Sequence, residues 1–146
     1  MLKGIDPLIG PELLHTLAAM GHGDRIAVVD RNFPAMSTNT RVHRMDGSNA
    51  TDAIAAILTL LPLDSFVDHP VACMSIVGHP GEVNAVQTEV LQVASRATGR
   101  SLDLEGVERF AFYAQTREAY AVVATGEDRP FGCFLLSKGV LPDFTP

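Results

Sequence analysis

The chain has 146 residues, 47% of them hydrophobic and 19% charged, and a formal net charge of −6 at pH 7. This length suits one domain with a buried core, so we predict a single domain over residues 1–146. The negative charge and the scatter of the 11 Lys and Arg residues argue against nucleic-acid or anionic-membrane binding, which needs basic clusters.

Cysteine usage and the N-terminal sequence indicate a cytoplasmic protein. Cys73 and Cys133 are far apart in apolar contexts, so they form no Cys-x-x-Cys motif and are expected to be buried thiols. The first residues lack the apolar core of a signal peptide. The longest apolar stretch, residues 53–63, is far shorter than the roughly 20 residues that span a bilayer.

Hydrophobic spacing predicts strands that alternate with helices, which indicates an α/β layered fold. Helices are predicted from apolar positions three and four residues apart, at 11–20, 49–61 and 82–98. Strands are predicted from short apolar runs rich in β-branched residues, at 25–30, 41–45, 71–77, 107–112, 120–125 and 133–137. A loop is expected over 32–39 and a helical turn around 114–118. The pairing of the strands stays open.

The first candidate functional residue is His22, which lies between Gly21 and Gly23. Glycines on both sides leave the imidazole open and let a ligand approach the main chain. Imidazole has an ordinary pKa of about 6.5, which suits proton transfer near neutrality. The alternative is a plain helix-ending turn in which His22 only tolerates a left-handed conformation.

Other polar side chains stand where α/β proteins bind ligands or beside aromatic residues. Asp30 ends an apolar strand, and ligands of open α/β sheets bind outside the carboxyl ends of the strands. Asp64 follows a predicted helix, and Arg109 and Tyr113 flank a run that contains two phenylalanines. A loop-entry or turn carboxylate, and an amphipathic strand, remain the alternatives. The other histidines have no zinc-site spacing and no phosphate-binding loop is present, so no metal or cofactor is expected.

Nine segments together resemble the family of L-fucose mutarotase and D-ribose pyranase. They follow one another along nearly the whole chain, at 2–5, 8–14, 20–24, 30–35, 46–47, 61–64, 109–113, 124–127 and 138–140. The aromatic segment at 109–113 is closer to the fucose branch. The resemblance implies a three-layer α/β/α sandwich with a mixed sheet, assembled into a ring-shaped homo-oligomer, commonly a decamer, with sugar sites between subunits. An apolar content high for a small monomer also favours self-association.

The activity that the resemblance implies is interconversion of the α and β anomers of a free monosaccharide, first of all L-fucose. By resemblance, His22 is the proton donor, Asp64 and Tyr113 are further acid–base or orienting groups, and Asp30 and Arg109 bind the sugar. Neither a metal nor an organic cofactor is implied. Two alternatives stay open, a D-ribose pyranase-type isomerisation and a non-catalytic sugar-binding or regulatory oligomer.

The chain departs from the family near its C-terminus. It has Phe131-Gly132-Cys133, where the family usually has Tyr-Gly-Asn. A phenol and an amide that could bond the sugar are therefore absent, and one lost hydrogen bond costs on the order of 1 kcal/mol. Phe131 can still pack against the apolar face of a sugar. We keep Phe131 and Cys133 as substrate-binding residues, and the departure bears on the choice of sugar more than on the reaction.

Overall fold

Helices and strands alternate in the computed structural model, which describes residues 1–141. The helices described are α1 (Pro11–Ala19), α2 (Ala35–Thr38), α3 (Ala50–Leu58), α4 (Ala85–Thr98) and α5 (Arg109–Glu118). The strands described are β1 (Arg25–Val29), β2 (Val42–Met45), β3 (Val71–Met74), β4 (Glu105–Val107), β5 (Ala121–Thr125) and β6 (Phe134–Ser137). Within this described part, no helix is long and apolar enough to cross a membrane.

The strands form one mixed sheet in the order β2-β5-β1-β6-β3-β4. The pairs β2–β5, β5–β1 and β3–β4 are parallel, whereas β6 runs antiparallel to both β1 and β3. All strands except β6 therefore end at the same edge of the sheet, which we call the carboxyl edge. The opposite edge, where β1 begins and β6 ends, is called the amino edge.

Helices cover both faces of the sheet. Strand side chains alternate between the faces, so Ile26 and Val28 point to one face, and Ala27 and Val29 to the other. The first face packs against α1, α3 and α4, and the second against α2 and α5. Because the central strands are covered on both faces, β5 is buried along its whole length. The predicted three-layer α/β/α sandwich with a mixed sheet is confirmed.

The predicted strand at 107–112 is wrong, because β4 ends at Val107 and a helix follows. The Glu108 side chain accepts hydrogen bonds from the backbone N–H groups of Phe110 and Ala111 and so starts α5. Phe112 is fully buried while Phe110 is exposed, as a helix allows, whereas residues two apart on a strand would share one face. The loop expected at 32–39 also contains the single turn of α2.

Candidate active site

His22 lies at the amino edge, in the turn that joins α1 to β1. Lys138, just after β6, holds this turn from two sides. Its ammonium group donates hydrogen bonds to the carbonyls of Leu17 and Met20 at the end of α1. Its carbonyl accepts from the N–H of Gly23, 2.8 Å away. The left-handed residue of the turn is Gly23, with φ of 85°. The alternative, in which His22 itself adopts the left-handed conformation, is therefore wrong.

The His22 imidazole is paired with a buried carboxylate. Its Nε2 atom lies 3.2 Å from Oδ2 of Asp64; the imidazole side chain is 46% exposed and the carboxylate only 5%. The pKa of Asp64 lies below its usual value. The largest cause is the hydrogen bond that the carboxylate accepts from the Phe66 N–H, and the bond to His22 lowers the pKa further. Asp64 is therefore an anion that can accept the Nε2–H and fix the ring orientation.

The backbone of Asp64 is held by close packing against the chain after β6. Its N–H donates to the carbonyl of Ser137, and Leu63 forms a β-bridge with Lys138. A side chain at Gly139 would meet the Cα atom of Asp64 at 2.7 Å, so only glycine permits this approach. The segments at 61–64 and 138–140 thus act together to place the carboxylate beneath the imidazole.

Sequence reasoning missed Phe66, whose ring centroid lies 5.6 Å from that of His22 with the rings tilted by 57°. The side chain is largely exposed. An exposed aromatic ring beside an imidazole can pack against the apolar face of a sugar. The one signal in the sequence was its position two residues after Asp64, in a segment without helix or strand spacing.

Asp30 and Cys133 adjoin each other at the carboxyl edge. Val28 pairs with Phe134 across β1 and β6, which brings the following Asp30 beside the preceding Cys133. Burial raises the pKa of the Cys133 thiol, and the neighbouring Asp30 carboxylate raises it further. Cys133 is only 1% exposed, so its thiol lies beneath Asp30 rather than on the surface. Oδ1 of Asp30 also accepts a hydrogen bond from the N–H of Asn32.

Arg109 and Tyr113 belong to the same edge and lie one turn apart on α5. Arg109 Nε donates to the Tyr113 hydroxyl at 3.1 Å. The ring of Phe33, another residue that sequence reasoning missed, lies 5.2 Å from the Tyr113 ring. Three aromatic side chains are half-buried against the core on the α2 and α5 side of the sheet, namely Phe33, Tyr113 and Phe131. A pocket of about 250 Å³ opens beside Asp30 and Phe33, with Arg31 and Arg44 also in its lining.

The seven predicted site residues therefore form two groups at opposite edges of the sheet. The imidazole group, at the amino edge, consists of His22 and Asp64. The carboxyl-edge group consists of Asp30, Arg109, Tyr113, Phe131 and Cys133. β1 has five residues, which at about 3.3 Å each separates the two groups by roughly 17 Å. Within one chain, a molecule bound by the carboxyl-edge group therefore lies out of reach of the His22 imidazole.

Other histidines have structural surroundings. Nε2 of His43 lies 2.8 Å from the Thr16 hydroxyl, and burial lowers the pKa of His43. His79 pairs with Glu82 on the surface at 3.4 Å. Over residues 1–141, no three His, Cys, Asp or Glu side chains are grouped in a way that could hold a metal ion.

The fold and the two groups define a three-layer α/β protein with an open histidine–carboxylate pair. The sequence matches the RbsD / FucU transport protein family over residues 3–141, and the chain belongs to this family. It is 43% identical over 145 residues to the L-fucose mutarotase of Glaesserella parasuis, covering 99% of each chain. The family expected from the nine segments is confirmed.

Two solved structures share the fold closely. FucU from Bifidobacterium longum has a TM-score of 0.90 and 39% identity, covering 95% of this chain and 99% of that chain. The fucose mutarotase of Streptococcus pneumoniae, solved in complex with L-fucose, has a TM-score of 0.86 and 36% identity. That match covers 97% of this chain and 100% of the other.

Proposed function

We propose that the protein is a mutarotase that interconverts the α and β anomers of a free monosaccharide, with L-fucose as the first choice. The observation that carries the proposal is the exposed imidazole of His22, held from behind by the buried Asp64 carboxylate. The choice of sugar is supported by the names of the relatives and by the S. pneumoniae structure with bound L-fucose.

The reaction needs only proton transfers at two oxygens of a cyclic hemiacetal. Protonated His22 donates its Nδ1 proton to the ring oxygen while a base removes the proton of the anomeric hydroxyl, so the C1–O5 bond breaks and an aldehyde forms. The aldehyde turns about the C1–C2 bond and recloses on its other face as both proton transfers reverse. Asp64 accepts the Nε2–H of the imidazole and keeps the ring in one orientation. Positioned acid–base groups contribute about 10²–10⁴ in rate.

The carboxyl-edge group binds and orients the sugar in this proposal. The Asp30 carboxylate accepts hydrogen bonds from sugar hydroxyls, and the Arg109 guanidinium donates them. Tyr113 orients Arg109 through their hydrogen bond, and Phe131 packs against the apolar face of the sugar. Cys133 is buried beneath Asp30. It therefore affects sugar binding only through its contact with the Asp30 carboxylate.

A second copy of the chain completes the site. Because the two groups stand at opposite edges of one sheet, His22 of one copy faces the carboxyl-edge group of its neighbour, in a head-to-tail contact that closes into a ring. Large apolar side chains exposed at both edges support such a contact: Phe66 and Leu141 at one, Met36 and Phe110 at the other. A decamer is the ring size that we propose from the family resemblance.

Mixing two inactive variants tests the shared site. His22→Ala and Asp30→Asn are each expected to abolish catalysis in pure oligomers. In mixed oligomers, random assortment makes about a quarter of the contacts carry both native groups, so about a quarter of the activity returns. Co-expression with two affinity tags and purification over both isolates the mixed oligomers. Mixed oligomers of native size without activity would contradict the shared site.

Magnetisation-exchange NMR between the anomers of L-fucose, D-ribose and D-galactose tests the function itself. We expect faster exchange for fucose with protein than without it, and a smaller effect on the other two sugars. Faster pyranose–furanose exchange of ribose would favour the pyranase alternative. Line broadening of fucose resonances with unchanged anomer exchange would instead favour a sugar-binding oligomer.

A further inference from the structure

The loop before β6 contains a strained residue at the carboxyl edge. Phe131 has φ of 59°, and it is the one non-glycine residue with positive φ in the part of the chain that the structure describes. Residues with a Cβ atom rarely adopt this left-handed conformation. Strain of this kind persists only where neighbouring groups hold the backbone in place. The contacts of the loop therefore identify the residues that hold Phe131.

Gln87, in the first turn of α4, contacts the strained residue directly. The side chain is fully buried, and its amide nitrogen donates to the carbonyl of Phe131 at 3.2 Å and to that of Met74 at 2.9 Å. Its amide oxygen accepts from the N–H of Asn84 at 3.2 Å. The Gln87 amide thus joins the end of β3, the start of α4 and the loop.

Asn84 contacts the residue before Phe131. As the N-cap of α4, its side-chain oxygen accepts the N–H of Gln87. Its side-chain nitrogen donates to the carbonyl of Pro130 at 2.8 Å. Two consecutive loop carbonyls, those of Pro130 and Phe131, are therefore bound by two side chains that also form the capping box of one helix.

We propose that Asn84 and Gln87 are positioning residues for the sugar site. They hold Phe131 in its left-handed conformation and so keep its ring packed against the same core cluster as Phe33 and Tyr113. Neither side chain touches the sugar; both act by ordering the loop before the sugar arrives, which strengthens binding without altering proton transfer. This inference rests on the proposed function. The ordering of the loop by Asn84 and Gln87 does not itself depend on a bound sugar.

Serine substitutions at two N-caps provide a matched test. Asn84→Ser keeps a capping oxygen for α4 but removes the nitrogen that holds Pro130. Asn49→Ser makes the same change at the N-cap of α3, whose side chain bonds only to Asp52. We expect Asn84→Ser to speed amide hydrogen exchange at residues 131–133 and to raise KM for fucose several-fold with kcat nearly constant. Asn49→Ser should change neither quantity.

Gln87→Leu removes the buried amide and with it the hydrogen bonds to the Met74 and Phe131 carbonyls and to the Asn84 N–H, so a larger effect is expected. KM should rise about tenfold, and exchange at 131–133 should quicken while the strand amides of β1 and β5 stay protected. The proposal is overturned if neither Asn84→Ser nor Gln87→Leu alters exchange in the loop, or if they lower kcat with KM unchanged. If the wild type fails to speed anomer exchange, the proposed function fails, and the amide-exchange comparison still decides whether these residues order the loop.

Discussion

Replacing His22 by alanine is expected to lower the rate of fucose anomer exchange by about 10²–10⁴-fold, the usual contribution of a positioned acid–base group. The fold should tolerate this change, because the side chain is half exposed and its contacts are the Asp64 carboxylate and the Phe66 ring. Magnetisation-exchange NMR at equal protein concentration measures the loss, and circular dichroism with sedimentation velocity checks fold and assembly.

His79→Ala is the matched control for this prediction. His79 also pairs with a carboxylate, that of Glu82, but this carboxylate is exposed, whereas that of Asp64 is buried. This variant should keep the wild-type rate. An intact His22→Ala oligomer that exchanges fucose anomers as fast as the wild type would remove His22 from the mechanism.

Replacing Glu127 by glutamine is expected to lower the free energy of unfolding by about 3 kcal/mol at pH 7. Glu127 is 1% exposed and binds Arg129 through its side chain and backbone, and the Ala50 N–H at the start of α3. These bonds, that of the Arg129 side chain first, lower the pKa of Glu127 from 4.5 to about 2. At about 1.36 kcal/mol per pKa unit, this difference corresponds to the expected loss.

The same pKa predicts how stability depends on pH. Because the folded-state pKa lies below the unfolded value, the ionised Glu127 stabilises the fold fully above about pH 4.5. This contribution is lost as the pH falls from 4.5 towards 2. Urea unfolding from pH 7 to pH 2.5 should therefore show a steeper acid loss in the wild type than in Glu127→Gln.

Glu89→Gln is the control for the acid effect. Glu89 also bonds to Arg129, but its side chain is 44% exposed, and solvent-exposed ion pairs contribute little. We expect a much smaller destabilisation from this variant than from Glu127→Gln. Equal effects of the two substitutions would show that burial of Glu127 is not what makes its ion pair stabilising.

Local patterns predicted most of the secondary structure. The helix at 49–61 and the strand at 120–125 follow from apolar spacing, since periodicity depends on the local sequence alone. The segment at 107–112 was predicted wrongly because the contact that starts α5 there is a side-chain cap by Glu108, which apolar spacing does not record. The single domain over 1–146 and the cytoplasmic location remain predictions; residues 142–146 lie outside the described part.

The family, the α/β class and the position of His22 between two glycines follow from the amino-acid sequence, because these depend on local composition and on the order of segments. The distance between His22 and Asp30 also follows from the sequence, because a predicted strand lies between these residues and sets them at its two ends. Two contacts emerge only from the folded chain: that of Asp64 with His22, 42 residues away, and that of Gln87 with Phe131, 44 residues away. Such contacts depend on how β6 inserts antiparallel beside β1 and β3, and apolar periodicity carries no information about strand order.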